Sequence, residues 1–383
     1  MIILEKPYVS GPLVSYLEKS RIPVLKNEMS ELLTKQGHNL NLLNDNEFVE
    51  RYHQTGKLYA VSENALVWLY PHLAGSELIE KVKIVKDKGA FRHICAKIFP
   101  DFFYKEVEMN DLHSLSPDAL PLPIVIKPAV GFLSVGVYIV RDKEEWHKAI
   151  DDIDKNFAKQ CAVFPETVVK SGKFVLEEFI QGEEYAVDAY FDKEGNPNII
   201  NIFHHIFKSE TDVSDRLYCM SKDIFEKNYG AFNRFLTDLN GVLGLRDFPM
   251  HVEFRVDKNS GKAIPIEVNP LRFAGMCLND LTRHSCGLLP VQAYFEGIHP
   301  DYATMWNGIE DDVFSFIVLD KPYETTKAID FEKIKKHFHG VVETRDIMNP
   351  AMSVWGFLFM KTDKAHRDEL NEILNSDLTE FMA

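Results

Sequence analysis

Between His251 and Gly275 the chain reads HVEFRVDKNSGKAIPIEVNPLRFAG: an alternating run, a turn at Asn259-Ser260-Gly261, and a second alternating run. Such a pattern predicts a β-hairpin, because successive side chains of a strand point to opposite faces. Val252, Phe254, Val256, Ile264, Ile266 and Val268 would seat one face on a core. Glu253, Glu267 and Asn269 are then left on the other face, as the floor of a cleft. Two carboxylates and an amide oxygen converging on one point suit a hard, oxygen-seeking cation such as Mg²⁺. On the hairpin alone, two solvated strand carboxylates fit equally well, and the upstream sequence has to decide.

A length of 383 residues allows two or three domains and a substantial core. The formal net charge of −15 argues against a broad nucleic-acid surface, which needs clustered Lys and Arg, but leaves room for a local basic pocket. The five cysteines (Cys95, Cys161, Cys219, Cys277, Cys286) are odd in number, scattered and never paired as CxxC. They read as reduced thiols of a cytoplasmic protein. The opening MIILEKPYVSG has no basic stretch followed by a long apolar core, and no segment reaches membrane-spanning length, so neither export nor a membrane is expected.

Residues 1–85 alternate strand-like runs (2–4, 23–25, 58–62) with helical ones, the first helix opened by Ser10-Gly11-Pro12, which predicts an open α/β unit. No GxGxxG follows the first strand, so a dinucleotide fingerprint is absent. Further helices are expected over 83–97, 143–155 and 225–243, and strands over 124–127, 135–140, 174–179, 185–191 and 196–207. Residues 209–221 are polar and without period, which predicts a substrate loop. Beyond 311, strands are expected at 313–318 and 354–360 and a helix over 365–374.

Two upstream segments could hold a nucleotide. The strand PIVIK ends on Lys127 and runs through Pro128 into AVGFLSVGV, where two glycines and Ser134 leave backbone N–H groups open to phosphate oxygens. Downstream, FVLEEFIQGEEY offers a strand edge to an adenine ring, followed by an acidic residue suited to ribose hydroxyls. Either segment alone also fits an ordinary hairpin.

Taken in order, Lys88, Lys127-Pro128 with its Gly/Ser loop, the run Glu177-Glu178-Phe179-Ile180-Gln181-Gly182-Glu183-Glu184, Glu253, and Glu267-Val268-Asn269-Pro270 resemble the ATP-grasp superfamily, in particular its carboxylate–amine ligases. The resemblance covers about residues 83–290 and implies an α/β (α+β) fold in which two antiparallel sheets hold ATP. It implies a Rossmann-like N-terminal domain (1–85), an ATP-grasp domain (86–310) with a lid at about 120–190, and a small C-terminal α/β domain (311–383). Carried over, it places Lys88, Lys127 and Ser134 at the phosphates. Glu178, Phe179 and Ile180 become the adenine hinge, Glu177 lies near the exocyclic amine, and Glu184 holds the ribose. Glu253, Glu267 and Asn269 become ligands of Mg²⁺ or Mn²⁺. The family pattern often continues Glu-x-Asn-Pro-Arg-x-Gly-Gly; here Leu271 shifts Arg272 by one position and a single glycine, Gly275, follows.

The implied reaction transfers the γ-phosphoryl of ATP to a small carboxylate, and an amine then captures the acyl phosphate. Arg272 is the expected grip on the carboxylate, and with Lys127 forms the catalytic pair. His205, Arg216 and Arg283 are candidate substrate contacts. A phosphotransferase without a following amine, and a non-catalytic nucleotide-binding protein, remain alternatives. The expected partners are small molecules, with a homodimer as the default assembly.

Overall fold

The computed structural model describes residues 1–130, 136–157, 170–209, 212, 214–321, 325–347 and 353–382. The expected Ser134, Cys161 and most of the Gly/Ser loop lie outside the described residues.

Three sheets organise the chain. The first is parallel, in the order Leu42–Leu43, Val24–Leu25, Ile2–Ile3, Tyr59–Ala60. Helices connect its strands, as a parallel sheet requires, the first being Gly11–Ser20 with Ser10 accepting from the Leu13 N–H at 3.4 Å. The second sheet is antiparallel and four-stranded, ordered Tyr104–Glu108, Lys170–Glu178, Ile124–Val130, Tyr138–Val140. The third has eight antiparallel strands. It runs from the Ala263–Pro270 and Phe248–Asp257 hairpin through Gly182–Phe191, Pro197–Ile206 and Leu217–Met220. It ends with Val313–Asp320, Val354–Thr362 and Val341–Asp346, so the last three strands of the chain are hydrogen-bonded into the sheet that carries the hairpin. Fold class therefore agrees with the mixed α/β expectation.

Three local expectations are corrected. The helix expected over 83–97 is two helices, Glu77–Lys86 and Lys88–Cys95. The break is Asp87, whose extended backbone (φ −80°, ψ 113°) ends one helix while its carboxylate caps the next through the Ala90 N–H at 2.9 Å. Lys88 thus opens a helix instead of continuing one. Second, the polar stretch 209–221 contains the buried strand Leu217–Met220, central to the large sheet. Its four residues are too few to show a period beside polar neighbours. Third, the tail holds a further strand, Val341–Asp346, whose mix of charged and apolar residues carries no clear alternation.

A core of aromatic and aliphatic residues lies beneath the large sheet, with Phe232, Phe235 and Leu236 of helix Lys222–Leu243 packed on Val252 and Phe254 of the hairpin. The hairpin is pressed against its neighbour at Gly182, which pairs with Asp257. A Cβ there would meet the Val256 carbonyl oxygen at 1.8 Å. Replacing Gly182 with Ala is expected to destabilise the protein by about 1–3 kcal/mol, the scale of overpacking against unyielding backbone. The measurement is a urea or thermal melt, and a melt unchanged within error would refute the contact.

Candidate active site

The floor of the cleft is the hairpin. Glu253 pairs across the strands with Glu267, His251 with Asn269, and Val252 with Val268. The register then slips, and Phe254 pairs with Pro265, leaving Ile266 as the extra residue of a β-bulge. The slip reverses side for what lies beyond it. Ile264, expected on the core face with Val268, instead pairs with Arg255 on the cleft side. The bulge also turns the Ile266 carbonyl toward the second sheet, where it accepts from Lys127 Nζ at 3.1 Å.

Charge on this floor is unbalanced. Desolvation, then the Glu267 carboxyl across the strand, then Glu184 and Asp215, push the Glu253 carboxyl well above the usual carboxylate range. Lys88 Nζ lies 3.3 Å from Glu267 Oε2 and offsets part of this. Asn269 is buried, and its Oδ1 has no hydrogen-bond partner among the described residues. An unpartnered buried acceptor beside two clustered carboxylates is what an oxygen-ligated divalent cation would satisfy, so these residues fit Mg²⁺.

Above the floor, Lys127 lies at the middle of the strand Ile124–Val130, which runs past the end expected at Lys127, and it meets Glu177 Oε2 at 2.9 Å. Glu177 takes a two-pronged contact from Arg92, Nε to Oε1 at 2.7 Å and Nη2 to Oε2 at 2.8 Å. All three side chains are buried. Burial alone would raise the Glu177 carboxyl, but Arg92 and Lys127 outweigh it and hold it at about 2. Burial draws the Lys127 ammonium below its ordinary value, with Glu177 opposing. Lys88 and Arg92 stand four residues apart, so one helix delivers cations to Glu267 and to Glu177.

The neighbouring hinge is locked by backbone. Phe179 N–H donates to the Pro123 carbonyl at 3.0 Å, Glu178 Oε2 accepts from the Phe103 N–H at 3.1 Å, and Ile180 is buried. Past Gly182, Glu184 Oε2 accepts from Arg255 Nη2 at 3.0 Å and Oε1 lies 3.1 Å from His205 Nδ1. Burial raises the Glu184 carboxyl, and His205 and Arg255 more than reverse that. The Arg255 guanidinium also lies over the Phe179 ring, 5.6 Å from its centroid.

Arg272 is turned toward the N-terminal unit. Its Nη2 donates to Glu63 Oε1 at 3.2 Å, and Lys86 pairs with the second Glu63 oxygen. Despite the burial that raises it, Glu63 is held at about 2 by Lys86 and Arg272. Adjacent backbone repeats the link: Ala60 N–H donates to the Leu271 carbonyl at 2.7 Å, and Phe273 N–H to the Tyr59 hydroxyl at 3.1 Å. Leu271 itself adopts a left-handed backbone (φ 62°), so the extra residue before Arg272 is absorbed by a turn.

The remaining candidates scatter. His205 stacks on Tyr218 with centroids 4.1 Å apart, close to Glu184. Arg216 Nε donates to Asp320 at 2.9 Å and its Nη1 reaches the carbonyls of Ile373 and Ser376, tying down the C-terminal helix away from the hairpin. Arg283 donates to Glu343 at 3.1 Å, beside His284 and the buried Arg345. Sequence reasoning missed Arg92, Glu63, Arg255, Asp188 and His251. Arg92 had a local signal in its four-residue spacing from Lys88 on a predicted helix, and His251 and Arg255 had one in standing two residues either side of Glu253 on the same strand face, whereas Glu63 and Asp188 had none.

The sequence model of the ATP-grasp domain matches residues 120–280. No curated protein matches the chain. Among solved structures, the L-amino acid ligase of Bacillus licheniformis superimposes with a TM-score of 0.66 at 17% identity, covering 100% of this chain and 97% of that one. N5-carboxyaminoimidazole ribonucleotide synthetase of Thermotoga maritima gives 0.66 at 13% identity, covering 100% and 98%. Biotin carboxylase of Campylobacter jejuni, solved as a β-γ-ATP complex, gives 0.63 at 12% identity, covering 99% and 96%. At such identities the likeness is one of fold. No helix among the described residues is long and apolar enough to cross a membrane.

Proposed function

Residues 120–280 are an ATP-grasp domain, and from that premise we propose that the chain is an ATP-dependent carboxylate–amine ligase. It activates a small carboxylate, an amino acid being the leading class, as an acyl phosphate, and passes the acyl group to an amine with release of ADP and phosphate. The observation that carries the reading is the acceptor-rich floor of Glu253, Glu267 and Asn269, flanked by Lys88 and Lys127.

Glu178, Phe179 and Ile180 present the adenine edge, and Glu184 holds the ribose against Arg255. Lys88 and Lys127 attract the phosphates, with Ser134 and its loop covering them. Glu253, Glu267 and Asn269 would hold Mg²⁺ or Mn²⁺, which when bound would offset phosphate charge. Arg272, held by Glu63, grips the carboxylate with its planar fork. His205 and Arg283 border the substrate side. Arg216, given its contacts, acts on substrate at most through the strand it anchors. The domains are proposed as 1–85, 86–310 and 311–383, and the setting as cytoplasmic.

The test is ADP release by the purified protein with Mg-ATP, hydroxylamine and pooled carboxylic and amino acids. Hydroxamate is expected from one pool, because hydroxylamine intercepts an acyl phosphate. ADP without hydroxamate in any pool would point to phosphoryl transfer to a hydroxyl and refute the ligase.

A further inference from the structure

His251 lies beside the cation floor and plays no part in the reading above. Its side chain is 8% exposed, and its Nδ1 lies 2.8 Å from Oδ1 of Asp188, which is wholly buried. The same Asp188 oxygen accepts from the Ala274 N–H at 2.7 Å, and the other accepts from Asn201 Nδ2 at 2.9 Å. Both Asp188 side-chain oxygens thus accept N–H hydrogens from Ala274 and Asn201, and a hydrogen on His251 Nδ1 completes the same acceptor pattern. The lone pair of Nε2 then faces Glu253 Oε1, 3.7 Å away. That distance is too long for an N–H···O bond, so the two groups approach without one. Directly across the strand pair from His251 stands Asn269, whose Oδ1 has no partner among the described residues.

His251 Nε2 thus approaches Glu253 Oε1, and the cross-strand partner of His251 is Asn269, whose buried Oδ1 is left unpartnered among the described residues. We propose that His251 is a nitrogen ligand of the cation site, fixed in tautomer and orientation by Asp188, and that it biases the site toward Mn²⁺ over Mg²⁺. A carboxylate behind a ligating imidazole is a recurrent way to orient and strengthen such a ligand. Imidazole nitrogen also favours the later divalent ions, whereas an all-oxygen set favours Mg²⁺. Asp188 would act as a positioning residue. Because it also holds the Ala274 N–H, it ties the cation site to the loop that carries Arg272.

The inference rests on the nucleotide-linked cation site proposed above, and the experiment separates the two. Mn²⁺ is titrated into the full chain with ADP. The free-ion EPR signal gives affinity, Mg²⁺ competition gives selectivity, and pulsed EPR reads magnetic coupling to nitrogen. In the unaltered protein an imidazole ¹⁴N coupling is expected, changing to the ¹⁵N pattern when histidine is ¹⁵N-labelled. His251→Gln should remove it and lower Mn²⁺ affinity by about tenfold or more, and Mg²⁺ affinity by less than about threefold. Mn²⁺ bound with ADP but showing no imidazole coupling overturns the ligand assignment and leaves the cation site standing. Failure to take up Mn²⁺ at all overturns both. The labelled unaltered protein decides the matter even if the variant fails to fold.

Discussion

Glu253→Gln is expected to raise the melting temperature of the nucleotide-free protein at pH 8 by about 2 °C while lowering ADP release by about 10²- to 10³-fold. The two effects have one origin. In the free protein Glu253 faces Glu267 across the strand pair, with Glu184 and Asp215 close by, and its carboxyl is held well above its ordinary value, first by desolvation and then by these neighbours. A carboxyl raised in the folded state binds its proton more tightly there than in the unfolded chain. Stability therefore drains away as pH climbs from the unfolded value, about 4.3, through the folded one, and is unaffected below both. Glutamine removes that loss, so its advantage should shrink steadily as the melt is repeated toward pH 5. About a third of the Glu253 side chain remains exposed (32%), which keeps the gain to a few degrees. In the unaltered protein Mg-ATP should supply the missing positive charge and raise the melting temperature more at pH 8 than at pH 5. A variant that melts lower than the unaltered protein at pH 8 would show that Glu253 is a satisfied structural group, and the cation reading of the floor would go with it.

What could be read in the sequence was what neighbouring positions encode. The hairpin with Glu253, Glu267 and Asn269, the strand that carries Lys127, and the turn through Gly182 to Glu184 each lie within one run whose periodicity is visible locally. The groups that hold those residues in place come from far along the chain. Arg92 and Glu177 are 85 positions apart, Glu63 and Arg272 209, Asp188 and His251 63. No local pattern connects such pairs, and only the folded sheets bring them together. The bulge at Ile266 was equally hidden, since an extra residue leaves the alternation of the sequence intact and appears only when the two strands are paired. The shift of Arg272 shows the same limit. Sequence placed it one position out of pattern, and the left-handed turn at Leu271 and the grip of Glu63 are what decide where its guanidinium goes.

Arg92→Met is expected to cost about 3–5 kcal/mol of stability in a urea melt, the largest loss predicted for a single side chain here. Arg92 and Glu177 are 2% and 3% exposed, and Lys127, 7% exposed, is the only other cation the carboxylate touches among the described residues. Removing Arg92 strips Glu177 of two short bonds and leaves a buried carboxylate held by one ammonium, which burial already disfavours. Arg92→Lys should fall between, because an ammonium restores charge but cannot span both oxygens of the carboxylate. The decisive variant is the double one, Arg92→Met with Glu177→Gln. If the loss comes from an uncompensated buried charge, neutralising that charge should recover at least half of it. If the loss is only the packing of the Arg92 stem against Phe102, the double variant will be no better than the single. Acid separates the explanations again. Glu177 is held at about 2, so the stability it contributes is present above the unfolded value near 4.3 and disappears as pH falls toward 2. The gap between the unaltered protein and Arg92→Met should therefore narrow across that window, whereas a packing loss would persist through it.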